Sequence, residues 1–106
     1  MVTVILTDNF SLSLLHRFPC DAYFRVISTS EATAICRQAI GDALLKVSVQ
    51  DMGMLEALST VLRIDLTRHE HPGAATGIGG MILVARYAEP AVGRAGGIEF
   101  IQAEVV

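Results

Sequence analysis

Asp8, Asn9 and Ser11 are the residues with the clearest chemical potential. They sit in Val4-Ile-Leu-Thr-Asp-Asn-Phe-Ser11, where an apolar strand runs into a polar turn and a Leu-rich segment follows at once. A helix starting at Ser11 would leave backbone N–H groups unpartnered at its positive end. Such a junction holds an anion, often a phosphate, and the Ser11 hydroxyl is placed to join it. Arg86 and Glu89 form a second pair just after the apolar run Met81–Ala85. A guanidinium is a permanent, planar donor suited to phosphate. Glu89 could orient it or act as an acid or base; read alone, the pair is a surface salt bridge.

Other constellations promise less. His69-Glu70-His71 has metal-ligating types, but zinc sites need three or four ligands with suitable geometry, and no cysteine pair lies near. It reads as an exposed loop. His16 reads as a surface or interface residue. Gly77-Ile-Gly-Gly80 lacks the spacing and the Lys-Ser/Thr of a phosphate loop and reads as a hairpin turn or lid. Cys20 and Cys36 form neither a CxxC motif nor a disulfide framework; they read as reduced thiols of a cytoplasmic protein.

The elements that must position these residues follow from periodicity and capping. Strands are expected at Val2–Leu6, Tyr23–Ile27, Ala43–Val49, Met81–Arg86 and Ile98–Val105. A short helix is expected at Ser11–Phe18, ended by Pro19. A second helix, capped by Ser30 before Glu31, has Ala34, Ile35, Ala39 and Ile40 as its stripe and Gly41 as its stop. A third follows the cap Asp51, with Met54, Leu55, Leu58, Val61 and Leu62 at helical spacing. Arg63–Thr67 reads as strand or extended connector, His69–Gly80 as loop and Glu89–Gly97 as irregular. This interleaving implies an α/β or α+β domain, one mixed sheet of about five strands flanked by helices.

The chain has 106 residues, so residues 1–106 are expected to form one domain. It is 52% hydrophobic and 18% charged, with a mean hydropathy of +0.50. No apolar run reaches membrane-span length, and no secretion signal opens the chain; a cytoplasmic location is expected. Surplus apolar residues in a small chain suggest a second buried surface, hence a homodimer. The formal net charge is −3, with only 8 Lys and Arg. Binding to long DNA or RNA needs many phosphate contacts, so long nucleic acid is excluded. A small anionic ligand is not.

Three anchors in order resemble the viral ring nucleases of the anti-CRISPR III-1 type. That family's opening strand ends in Asn-Ala-Phe-Ser before a short Leu/Met-rich helix; here Asp8-Asn-Phe-Ser11 precedes Leu12-Ser-Leu-Leu15 and Phe18-Pro19. Its Ser-x-Gly-His step is matched by Ser48-Val-Gln-Asp51, and its Arg-x-x-Glu by Arg86-Tyr-Ala-Glu89. The resemblance implies a homodimer with cyclic tetra-adenylate, the messenger of type III CRISPR immunity, in an interface cleft. It implies cleavage without metal or cofactor, by attack of a ribose 2′-hydroxyl on the neighbouring phosphate. Asp8, Asn9, Phe10, Ser11, Ser48 and Gln50 would then contact ligand. Arg86 would stabilise phosphorane charge, and Glu89 would hold Arg86 or orient the hydroxyl.

One departure matters for the chemistry. The family's histidine, its general acid, is replaced by Asp51, and an ordinary aspartate is ionised at neutral pH. Burial or a like charge could raise its pKa enough for acid work; as a helix N-cap it would only accept hydrogen bonds. The function implied is therefore binding and cleavage of a cyclic oligoadenylate. A non-cleaving sponge or sensor is the alternative, and a structural or interaction module of a mobile element is a third.

Overall fold

The structure, a computed structural model, describes residues 3–15, 20–42, 44–71, 73–77, 79–87 and 97–106. Its frame is a five-stranded sheet, formed by β1 (Val4–Thr7), β2 (Ala22–Ile27), β3 (Leu45–Ser48), β4 (Met81–Tyr87) and β5 (Ile98–Val105) in the order β2-β5-β4-β1-β3. β1 pairs in parallel with β3 and β4, whereas β5 runs antiparallel to β4 and β2. Four strands therefore share one direction and only β5 is reversed. Their carboxyl ends, and the start of β5, lie along one edge of the sheet. The fold is α+β: this mixed sheet and two helices, α1 (Thr29–Gly41) and α2 (Met52–Leu62).

β1 shows why the centre forms. All four of its residues are buried, as expected of a strand covered on both faces. Val4 and Leu6 join the larger core with Leu83, Ala85, Phe100 and both helices; Ile5 joins a smaller core with Leu14, Ala74, Ile82, Ala103 and Val105 on the opposite face. The helices pack through alternating contacts at helical spacing. α2 buries Met54, Leu55, Leu58 and Leu62. α1 buries Ala32, Cys36 and Ala39, small residues that let the helix lie close to the sheet, while Ile35 and Ile40 are only partly buried and Ala34 is exposed. No helix among the described residues is long and apolar enough to cross a membrane.

Three expected local features differ. The segment after β1 is a 3-10 turn, Leu12–Leu14, rather than a helix over Ser11–Phe18; residues 16–19, His16 and Pro19 among them, lie outside the described residues. α1 is capped by Ser28, not Ser30: the Ser28 Oγ accepts the Glu31 N–H while the Glu31 carboxylate accepts the Ser28 N–H. That reciprocal pair satisfies two otherwise orphan donors. Arg63–Thr67 is not a strand. Arg63 closes α2 in the left-handed region at φ 56°, and a second 3-10 turn, Leu66–His69, is capped by Asp65.

The loop before β4 is packed tightly. The Thr76 N–H donates to the Leu14 carbonyl at 2.7 Å, which closes the smaller core. Gly80 lies against Thr76 so closely that a Cβ there would stand 1.9 Å from the buried Thr76 Oγ1. Gly80→Ala is expected to destabilise the chain by about 1–3 kcal/mol, as overpacking does. A thermal melt should register a drop of roughly 10 °C. Adding Thr76→Ala to that variant should restore most of it; an unchanged melt for Gly80→Ala alone would contradict the packing described.

Candidate functional site

β1 and β3 are adjacent and parallel, so the turns that follow them meet at the same edge of the sheet. There Thr7, Asp8, Asn9, Ser11, Ser13, Leu14, Ser48 and Gln50 line a pocket of about 140 Å³. Five of the six expected ligand contacts are thus gathered from two stretches some forty residues apart: Asp8, Asn9, Ser11, Ser48 and Gln50. The sixth, Phe10, turns away. Its ring meets that of Phe24 edge-on, with centroids 5.4 Å apart. Ligand crevices of parallel sheets lie outside the carboxyl ends of their strands, which is where this pocket opens.

Local hydrogen bonds build the pocket wall. Thr7 is buried, and its Oγ1 accepts the Asn9 N–H at 3.2 Å and donates to the Asn9 carbonyl at 3.1 Å. Ser11 accepts the Ser13 N–H at 3.3 Å, and the two hydroxyls lie 3.0 Å apart. Across the pocket, the Asp8 carboxylate accepts the Gln50 N–H at 3.3 Å through Oδ1 and the Asp51 N–H at 3.0 Å through Oδ2. Asp51 in turn caps α2, its Oδ1 accepting from Gly53 N–H at 2.9 Å and Met54 N–H at 3.4 Å. The Gly53 and Met54 N–H groups at the start of α2 are therefore occupied by the chain's own carboxylate. None of the eight residues lining the pocket is basic.

The anion site expected at the first turn thus changes character. A three-residue 3-10 turn has no macrodipole to attract a phosphate, and at the better-placed helix start, that of α2, two N–H groups are already taken by Asp51. The pocket is rich in hydroxyls and amides instead.

Arg86 projects from the same edge. Thr7 pairs in register with Val84, and Arg86 lies two residues farther on, about 7 Å along the strand. Its Nε donates to Glu99 Oε2 at 2.7 Å; the Arg86 side chain is 58% exposed and the Glu99 side chain 29%. Arg86 and Glu99 are register partners across β4 and β5. The expected partner Glu89 lies outside the described residues. Sequence reasoning missed Glu99, because its spacing from Arg86 becomes meaningful only once the β4–β5 pairing is known.

The His-Glu-His loop contributes in an unforeseen way. Glu70 forms a bridge to Val47 and, with Ser48, Gln50 and Gly73, lines a neighbouring cavity of about 300 Å³. His69 is half-buried and His71 exposed, and among the described residues no three metal-ligating side chains gather in one place. Burial pushes the Cys36 thiol up to about 12, so at neutral pH it is a protonated core group rather than a nucleophile.

No protein-family model matches the chain, and no curated protein matches it in sequence. A solved structure does. The chain is similar in fold to B116 of Sulfolobus turreted icosahedral virus. The TM-score is 0.75, and the match covers 96% of this chain and 98% of B116 at 15% sequence identity. At that identity the likeness to B116 establishes the shared fold over nearly the whole of both chains. The roles of individual side chains must be argued from the pocket itself.

Proposed function

We propose that this chain binds a cyclic oligoadenylate, cyclic tetra-adenylate in the first instance, and cleaves it without a metal, antagonising or tuning type III CRISPR signalling. The observation that carries this reading is the convergence of Asp8, Asn9, Ser11, Ser48 and Gln50 on one pocket, with Arg86 on the same edge. Two of the three anchors that resemble viral ring nucleases meet there. The fold likeness to a protein of a virus is consistent with it.

In the proposed reaction a ribose 2′-oxygen bonds to the adjacent phosphorus and the bond from phosphorus to the 5′-oxygen breaks. The 2′-hydroxyl gives up its proton, and the departing 5′-oxygen takes one. The products are a 2′,3′-cyclic phosphate and a 5′-hydroxyl. Arg86 stabilises the negative charge on the phosphorane, and Glu99 holds its Nε at 2.7 Å. Glu89 keeps its proposed part in orienting the hydroxyl. The active unit is a homodimer. Supporting this, Tyr23, Phe24 and Val26 on the edge strand β2 are 67%, 56% and 62% exposed, the kind of apolar edge that otherwise invites uncontrolled pairing.

The sponge reading has a specific observation in its favour. Asp51 Oδ1 accepts the Gly53 and Met54 N–H groups, which is the work of a helix cap. One assay separates the readings: cyclic tetra-adenylate incubated in EDTA, with products resolved by chromatography. Linear product ending in a cyclic phosphate is expected. Tight binding with no product would favour the sponge, and no binding would leave an interaction module.

A further inference from the structure

We infer that Asp8 is a positioning residue, and that its carboxylate makes the pocket between β1 and β3 a receptor for an uncharged, hydroxyl-bearing group, a nucleoside sugar, rather than for phosphate. This rests on the nucleotide reading and specifies which part of the ligand enters.

Three observations lead there. First, both Asp8 oxygens are spent on the chain: Oδ1 takes the Gln50 N–H and Oδ2 the Asp51 N–H. The clamp ties the turn after β1 to the turn after β3, forty-two and forty-three residues later. A side chain engaged in this way sets the pocket's width. Second, those two N–H groups, with the Gly53 and Met54 N–H groups taken by Asp51, are the donors an anion would otherwise use at a helix start. With these four N–H groups taken by carboxylates, an incoming phosphate meets negative charge there in place of those donors. Third, apart from Leu14, the rest of the lining consists of groups that both donate and accept, Thr7, Ser11, Ser13 and Ser48, together with the amides of Asn9 and Gln50. That inventory matches hydroxyls, which also both donate and accept. A volume of about 140 Å³ is well below the roughly 300 Å³ at which drug-sized ligand sites begin, so it takes a fragment such as a furanose ring and not a whole nucleotide. The phosphates then fall outside the pocket, toward the exposed side chain of Arg86.

The amide spectra of the isotopically labelled protein test this with two probes, adenosine and inorganic phosphate. In the native chain adenosine should shift the Ser11, Ser48 and Gln50 signals, and phosphate should leave the Gln50 and Asp51 signals in place. In Asp8→Ala the freed N–H groups of Gln50 and Asp51 should exchange with solvent roughly tenfold faster, as expected on losing a charge-assisted hydrogen bond. They should also begin to respond to phosphate, a gain that a merely structural role would not produce. Asp8→Asn, which retains one acceptor, should fall between the two and serves if the alanine variant does not fold. Phosphate shifts at Gln50 and Asp51 in the native chain, no response to adenosine, or unchanged exchange in both variants would each overturn the assignment. Titration with cyclic tetra-adenylate is read separately: its failure to bind would reject the nucleotide reading while the contrast between adenosine and phosphate still decides what the pocket accepts.

Discussion

Arg86→Ala should lower turnover of cyclic tetra-adenylate by at least about a hundredfold while leaving the melting temperature nearly unchanged. The first half follows from the chemistry. A donor aimed at charge that develops in the transition state contributes about 10²–10³ in rate when tested by removal. Arg86 is the basic residue of the third anchor; its Nε is held by Glu99, and its Nη groups make no hydrogen bond to the described residues. The second half follows from exposure. A pair that is 58% and 29% exposed contributes on the order of 0.2–1 kcal/mol to folding. Arg86→Lys should restore little, since an ammonium does not reproduce the planar fork. Glu99→Gln keeps an acceptor for Nε but removes its charge, so a smaller loss, roughly tenfold, is expected from the difference between charged and neutral hydrogen bonds. Steady-state and single-turnover kinetics on melt-matched variants measure all three. If Arg86→Ala cleaves at the native rate, the guanidinium does not face the scissile phosphate and the site must be sought elsewhere.

Two of the segments that carry the resemblance, those after β1 and β3, lie together in the fold, and the structure explains which features of the chain were local. Strands such as Met81–Arg86 and Ile98–Val105 are legible because they are long and apolar, and their observed bounds differ by at most one residue. The start of α2 is legible because Asp51 is a side-chain cap, a feature confined to four residues. Two kinds of information were not local. The Leu12–Leu15 segment has the apolar spacing of a helix, yet the Thr76 N–H binds the Leu14 carbonyl and fixes the segment against the sheet as a 3-10 turn. Periodicity cannot separate these outcomes, because either one can bury Leu14. The Arg86–Glu99 pair and the Asp8 clamp depend on strand register and strand order, which emerge only when distant segments pair. Asp8 therefore reads as a ligand contact in the sequence and as a scaffold contact in the fold.

That scaffold makes the converse experiment informative. Asp51→His should raise cleavage of cyclic tetra-adenylate by on the order of a hundredfold, within the 10²–10⁴ attributed to a well-placed general acid, and should cost about 1 kcal/mol of stability through loss of the α2 cap. The two effects separate because the clamp from Asp8 grips the backbone N–H of residue 51, which a histidine keeps. The turn should therefore stay in register while Gly53 and Met54 lose their acceptor. A melt about 4–8 °C lower would report that loss. The pH profile identifies the acid: an imidazolium with a reference pKa of about 6.5 donates below that value and fails above it, so the gained activity should decline as pH rises through the neutral range. The neighbouring Asp8 carboxylate favours the charged imidazole and should move that decline upward. A variant that binds the ring as tightly as the native chain but yields no linear product at any pH would show that more than an acid is missing. The pocket would then be built to hold the ring rather than to align a 2′-hydroxyl for attack.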